Sequence, residues 1–285
     1  MKKTFLVVIK KAQIARFFIP ALALFCILVL LFVYFFYNPA SSVETSVKQT
    51  VRNKYYVALV FDDAGMDENE VKKLLDLKIP FDVAIIPFLP FSNKIALMCH
   101  NSNKEVLIHF SMEPETGDAS WLAPRSIMDK TPDDEIEKTF KDALVNIPYA
   151  KGFNNHMGSL LCKNKRIVNK LVTLAKDSLL FVLDSKTTPK SLFEPICKEH
   201  KVSYIGRDIF LDNKNEVLSI KSQLNLLKNT AKKKGYAVGI GHLGPEGGIT
   251  TITAVSEMID EMKKEGIEFV FVSDIIKIKE TSEAK

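Results

Sequence analysis

The sequence predicts an α/β fold, a (β/α) barrel of seven to eight parallel strands, preceded by one apolar helix. Two observations predict the barrel. Eight apolar or β-branched runs alternate with stretches of helical spacing, the signature of a parallel sheet, open or closed. Six of those runs finish on or just before residues able to do chemistry: Asp62–Asp63, His109, Asn155–His156, Asp184, Asp208 and His242. In a closed barrel the C-terminal strand ends share one rim, whereas an open doubly wound sheet concentrates function at its switch point. Reactive residues on so many strand ends favour closure. The third observation predicts the helix: residues 17–37 carry no charge and are long enough to span a bilayer, which takes roughly 20 residues.

From the N-terminus, Lys2, Lys3, Lys10, Lys11 and Arg16 precede the apolar segment, and no Lys or Arg follows it until Lys48. This is the positive-inside pattern. It predicts a cytoplasmic basic tail (1–16), a transmembrane signal anchor (17–37) and a remainder that is periplasmic or extracellular. A cleaved signal peptide is the competing reading. Its apolar region is usually about 7–15 residues long and ends at a small-residue site; here the segment is longer and "YNPASS" is a mediocre site. Residues 38–54 are polar and read as a stalk, which leaves 55–285 for the barrel.

Five of the 39 Lys and Arg lie in the tail, so the other 34 balance the 34 Asp and Glu. The outward part is formally neutral, which excludes a basic nucleic-acid footprint. Cys26 lies in the span; Cys99, Cys162 and Cys197 are odd in number, lack a Cys-x-x-Cys pattern and read as packing thiols.

The expected strands are Tyr55–Phe61, Phe81–Pro87, Glu105–Phe110, Lys151–His156, Leu179–Ser185, Val202–Arg207, Tyr236–His242 and Glu268–Ser273. Helical spacing fills "ENEVKKLLDL", "TPDDEIEKTFKDALVNI" and "NEVLSIKSQLNLLKNTAKKK" between them. In the second, Thr131 is placed to cap and Pro132 to open the helix.

The chemistry begins with "VFDDAG", where an apolar strand ends on two adjacent carboxylates. Two like charges half-buried together need compensation, from a cation or from a turn that splays both into water. His109, His156 and His242 each close a strand; singly, each reads as an ordinary hydrogen-bonded residue. Together with an aspartate on a shared rim, two histidines form a natural divalent-metal site, zinc above all, with one position open for catalysis. Adjacent strand residues point oppositely, and the turn at Gly65 is expected to bring both aspartates to the rim. Gly239-x-Gly241-x-x-Gly244 matches a dinucleotide fingerprint, but Pro245 and two further glycines precede any helical pattern, so no nucleotide site is expected.

In order, "VFDDAG", "LIHFSMEP", "GFNNHMGS", "FVLDSKTT", "GRDIFLDN" and "IGH" resemble the divergent polysaccharide deacetylase family. The resemblance covers about Tyr55 to Ile276. It implies a distorted, TIM-like (β/α) barrel and a metal-dependent hydrolase that removes N- or O-acetyl groups from a glycan. Carried over, Asp62 becomes the base and Asp63 a metal ligand. The wider superfamily draws two metal histidines from one His-x-x-x-His segment; here it reads His109-Phe-Ser-Met-Glu113, so His156 is expected to complete the site. Glu113 then supports the ligands or serves as one itself. His242 becomes the general acid, although Leu243 stands where many relatives have proline. Asn155 is a further supporting residue, and Asp184 and Arg207 are expected to orient His242 and Asp62. The implied partners are an envelope or exported polysaccharide, such as a peptidoglycan-type glycan, and the membrane through the anchor, with neither nucleic acid nor nucleotide. The alternative is a glycan-binding or cell-wall scaffold protein that keeps the rim residues without hydrolysis.

Overall fold

The computed structural model describes residues 24–34 and 54–283. The chain divides into two compact units, Met1–Arg52 and Asn53–Lys285. In the first, residues 24–34 form a helix with exposed apolar side chains, among them Leu24, Phe25 and Leu30. That stretch rises about 16 Å, and among the described residues no helix is long and apolar enough to cross a membrane. The rest of the expected 17–37 span, the tail and nearly all of the stalk lie outside the described residues.

The second unit is a single all-parallel sheet of nine strands wrapped by helices. The strands are β1 (Tyr55–Ala64), β2 (Asp82–Ile85), β3 (Glu105–Met112), β4 (Ala150–Met157), β5 (Phe181–Asp184), β6 (Tyr204–Gly206), β7 (Ile209–Phe210), β8 (Tyr236–His242) and β9 (Ile267–Phe269). Their order is β6-β5-β4-β3-β2-β1-β8-β7, with β9 beside the start of β1. The helices are α1 (Glu68–Leu74), α2 (Ser92–Asn101), α3 (Asp133–Asn146), α4 (Lys165–Asp177), α5 (Phe193–His200), α6 (Val217–Lys234), α7 (Gly248–Lys264) and α8 (Val272–Glu283).

Curling follows from connectivity. β6 and β7 stand at opposite ends of the strand order, yet only Arg207 and Asp208 join them. The three backbone steps from Gly206 to Ile209 reach no more than about 11 Å, so the sheet must bend until its two edges come close. No ladder joins β6 to β7 among the described pairings, and the result is a curled sheet with a seam rather than a fully laddered barrel. This corrects the expected strand set. Ile209–Phe210 is an additional short strand, and the expected strand Glu268–Ser273 is found as Ile267–Phe269, with α8 beginning at Val272. The start of α3 also differs: Pro132 is its N-cap residue, and the Thr131 hydroxyl accepts from the Met128 N–H instead of capping it.

Strand residues alternate between two apolar layers, as period-two geometry requires. Val57, Leu59, Phe61, Ile108 and Phe153 pack outward against helix residues such as Val71, Ile95, Phe140, Leu171 and Leu227. Ala58, Val60, Ala84, Leu107, Leu183, Ile205, Val238 and Ile240 face inward and form the floor of the lumen. Val272, Ile275 and Ile276 of α8 join this inner cluster, so α8 stoppers the lumen from below. Among the described residues, the buried members of both clusters lie between Val57 and Ile276. Cys99, Cys162 and Cys197 are buried and unpaired within the outer layer.

Candidate metal and acid–base site

The inward parity of each strand, followed to its C-terminal end, lists what reaches the rim. Above Ala58 and Val60 comes Asp62; above Leu107, His109; above Val238 and Ile240, His242. On β4, where Phe153 faces out, Asn154 and His156 face in. Register then sets neighbours: Asp62 lies opposite His242 across β1 and β8, and His109 opposite Asn154 across β3 and β4.

Asp63 breaks the alternation. The β1–β2 register shifts between Phe61 and Ala64, and Asp63 itself takes φ 64°, the left-handed region. That bulge brings its carboxylate to the rim beside Asp62's, so the reorientation sits at Asp63, two residues before the expected turn at Gly65. Gly65 follows at φ 142°, where a Cβ would meet Leu89 Cδ1 at 2.8 Å.

Three donors converge there. Asp63 Oδ1 lies 3.1 Å from His109 Nε2 and 2.8 Å from His156 Nδ1. The hydrogen bonds behind them decide which nitrogens carry protons. Asn154 Nδ2 donates to both oxygens of Asp62, at 2.9 and 3.0 Å, since a carboxylate only accepts. Its Oδ1 therefore faces His109 Nδ1 at 2.7 Å, and that nitrogen must donate. His156 Nε2 likewise donates to the Trp121 carbonyl at 3.1 Å. In neutral imidazoles, the remaining nitrogen of each ring is a lone pair aimed at the same carboxylate oxygen. Three lone pairs facing one another repel unless positive charge lies between them. One oxygen and two imidazole nitrogens, each ring braced through its far N–H, is the donor set that zinc and similar divalent ions take. The residues fit such an ion.

Without an ion, protonation of the rings is the source of that positive charge. Burial opposes the Asp63 charge, but hydrogen bonding and attraction from His109 and His156 outweigh it and hold Asp63 well below the usual carboxylate range. Burial opposes the His156 charge as well, and Asp63 more than offsets this, raising it. Asp62 goes the other way: burial lifts it, against the lowering influence of His109 and His242.

His242 is held separately. Burial disfavours its charge, yet Asp212 Oδ1 accepts from Nδ1 at 2.8 Å and brings its pKa up to about 9. The other Asp212 oxygen accepts from the His242 backbone N–H at 2.6 Å and the Thr251 hydroxyl at 2.8 Å. The Phe210 ring lies 5.4 Å from the His242 ring, and the Arg207 guanidinium stacks 3.6 Å from the other end of that contact, over Phe210.

The structure therefore brings together Asp62, Asp63, His109, His156 and His242, and separates other expected residues from them. Glu113 accepts from the Asp129 N–H at 2.6 Å and holds the loop after β3, in contact with none of the three donors. Asn155, of outward parity, donates to the Met157 carbonyl at 2.8 Å and accepts from Ser185 N–H at 3.1 Å. Asp184, also outward, accepts from Lys186 N–H at 2.8 Å and from the Tyr204 hydroxyl at 3.3 Å, and reaches neither His242 nor Asp62. Arg207 donates to the carbonyls of Ser185 and Lys186, at 2.7 and 3.2 Å, stacks on the Phe210 ring beside His242, and lies near enough to Asp62 to feel its charge, without a hydrogen bond to either. Asp208 is off the rim, paired with Lys234 and with the Val238 N–H. The orienting residues are Asn154 and Asp212, neither of them singled out by the sequence reading. Gly239 and Gly241 lie within β8, where a Cβ would meet Leu227 at 2.6 Å and Thr251 at 2.7 Å; they are packing glycines, not a phosphate loop.

Comparison with known proteins places this geometry in context. The family model described as divergent polysaccharide deacetylase matches residues 59–276. The uncharacterized protein YibQ of Escherichia coli K12 is 30% identical over 203 residues, 71% of this chain and 62% of its own length. The chain thus spans less than two thirds of that relative. Among solved structures, an uncharacterized protein from Agrobacterium tumefaciens C58 superposes with a TM-score of 0.72 at 20% identity, covering 78% of this chain and 89% of its own. A peptidoglycan N-acetylglucosamine deacetylase superposes with a TM-score of 0.50 at 17% identity, covering 78% and 88%. At these identities the two structures speak for the fold alone.

Proposed function

The chain belongs to the divergent polysaccharide deacetylase family, and on that footing we propose that it is a metal-dependent hydrolase removing acetyl groups from an envelope or exported polysaccharide. The observation that carries this reading is the convergence of the Asp63, His109 and His156 lone pairs beside a buried carboxylate, Asp62, and a protonated imidazole, His242. The similarity to a peptidoglycan deacetylase supports a glycan substrate at the level of fold.

A divalent cation, zinc by the chemistry of the donors, would be held by Asp63, His109 and His156 and supplies Lewis acidity for carbonyl polarisation and water activation. The protein's own groups do the proton work. Asp62, fixed by both donations from Asn154, accepts the proton of the attacking water; burial makes it a stronger base than a free aspartate. His242, facing Asp62 across the β1–β8 ladder, donates to the departing amine or alkoxide. Asp212 keeps that proton on His242 at neutral pH and fixes the Nδ1–H tautomer, so Nε2 is the nitrogen presented. Base and acid thus hold opposite protonation states at one pH, because one is desolvated and the other is clamped by its own carboxylate.

The scaffold alternative draws on the missing histidine of the His109-x-x-x-Glu113 segment. His156, 2.8 Å from Asp63, occupies the vacated role and favours the enzyme. In this reading the 17–37 segment anchors the chain and the rim faces the envelope. The test pairs metal content with acetate release from N- and O-acetylated oligosaccharides, using the purified chain and its Asp63→Asn and His156→Ala variants. One zinc per chain, lost in both variants together with acetate release, supports the reading. Zinc-free protein after reconstitution, or acetate release untouched by loss of zinc, overturns it.

A further inference from the structure

A second set of donors lies against the first. Asp63, His242 and Glu246 present a carboxylate oxygen, a ring nitrogen and a carboxylate oxygen that all fall within 4.8 Å of one another. Asp63 is common to both sets, and a carboxylate has two oxygens, so it is able to serve an ion on either side. In two-ion sites the separation is about 3.5–4 Å.

The other two donors are prepared for this. Asp212, a carboxylate with acceptor atoms only, takes the His242 Nδ1 proton, which leaves Nε2 as the available ring nitrogen. Glu246 makes no hydrogen bond or ion pair with any described residue, although the turn that carries it is tied down. That turn, Gly244–Glu246, is fixed where Gly244 N–H donates to Glu70 Oε2 at 2.7 Å. Just beyond it, the Gly247 backbone packs so closely on Asp212 Oδ2 that a Cβ there would lie 2.2 Å away. The backbone is thus held on both sides of Glu246, while its side chain projects toward Asp63 and His242 with no protein partner.

We propose that Asp63, His242 and Glu246 form a second site for a divalent cation, weaker than the first, whose occupation inhibits hydrolysis. It is weaker because Glu246 is exposed and Asp63 is already committed to His109 and His156. It inhibits because the ion takes the Nε2 lone pair of His242, the atom that otherwise carries the proton for the leaving group; this clause rests on the function proposed above. Excess zinc is therefore an inhibitor of the zinc-loaded protein, and Glu246 sets its potency.

The probe is zinc alone, titrated into the purified full-length chain by equilibrium dialysis, with acetate release followed over the same range. Wild type binds in two steps, and acetate release rises with the first and falls with the second. In Glu246→Gln the first step stays in place, while the second step and the loss of acetate release both shift at least tenfold to higher zinc. A single step in wild type, or a second step that Glu246→Gln leaves in place, overturns the site. Two steps without any acetate release uphold the site and sink the proposed hydrolase. Two steps with no fall in acetate release at the second overturn the inhibition.

Discussion

The lumen carries a carboxylate pair at each end, and the two pairs are neutralised by different means. At the rim, Asp62 and Asp63 are adjacent in the chain; Asp62 is 1% exposed. At the floor, Asp82 and Glu105 are register partners across β2 and β3, and Asp82 is fully buried. The rim pair is met by imidazoles and the Asn154 amide. The floor pair is met by the start of α8: Val272 N–H donates to Asp82 Oδ2 at 3.0 Å, and the Ser273 hydroxyl to Glu105 Oε1 at 2.7 Å. The helix N-terminus favours anions there, yet burial first and Glu105 second push Asp82 well above its ordinary range, toward its protonated form. One strand shows both solutions, since β3 runs inward from Glu105 through Leu107 to His109. Carboxylate pairing by itself is therefore no mark of function. Lone pairs from other residue types, converging where solvent and substrate have access, are what separate the rim from the floor.

The comparison breaks most visibly at Asp63. Asp63→Asn is expected to abolish stoichiometric metal and lower acetate release by about 10⁴-fold, the scale of removing a member of a catalytic unit; retention of metal would equate rim with floor. Asp62→Asn should keep the metal while activity falls by about 10²–10⁴-fold, as for loss of a general base; metal analysis beside kinetics separates the two aspartates. Asn154→Ala frees the His109 tautomer, so metal affinity should weaken by about 10–100-fold, read by competition with a chelating dye.

Asp212→Asn acts through pH. His242 is active when protonated, so wild-type activity should fall as pH rises through about 9. Without Asp212 that limb should move down toward about 6.5, the ordinary histidine value. A pH–rate profile with an unmoved limb would remove Asp212 from its positioning role. The smallest effect is expected at the floor. The folded protein holds a proton on Asp82 that the unfolded chain releases above about pH 4, so stability drains as pH rises beyond that point. Asp82→Asn can still accept from Val272 and should relieve part of this penalty at pH 8. Thermal melts at pH 5 and pH 8 would show a flatter pH dependence than wild type; equal slopes would exclude the proton on Asp82.

Alternation of strands and helices, the parallel sheet and the rim were legible because period and strand-end chemistry are local. Choosing among polar residues needed parity. Asn154 and Asn155 are chemically identical neighbours; period-two alternation puts Asn154 on the face of His156, and the outward Phe153 shows that this face is the inner one. The same count, begun at Leu183, puts Asp184 outside. Asp212 was hidden for another reason: β7 is two residues long, and without it the Leu211–Asp212 segment has no strand end to follow. The Asp63 bulge left no trace beyond the aspartate doublet, since positive φ at a non-glycine residue is imposed by the surrounding structure.

Mechanically, the curled sheet is a cut ring. β1 to β4 are joined by ladders, interrupted only at the Asp63 bulge and between Val106 and Leu107, and carry Asp63, His109 and His156, with His242 on the next strand, β8. The cut lies between β6 and β7, where Arg207 is the clasp, gripping the Ser185 and Lys186 carbonyls on one side and Phe210 on the other. Strain from a stiff polymer pressed into the mouth is relieved at the cut, where compliance is greatest, and amide exchange among the strands should be fastest at its two lips. The opposite arc, which carries Asp63, His109 and His156, should keep its spacing.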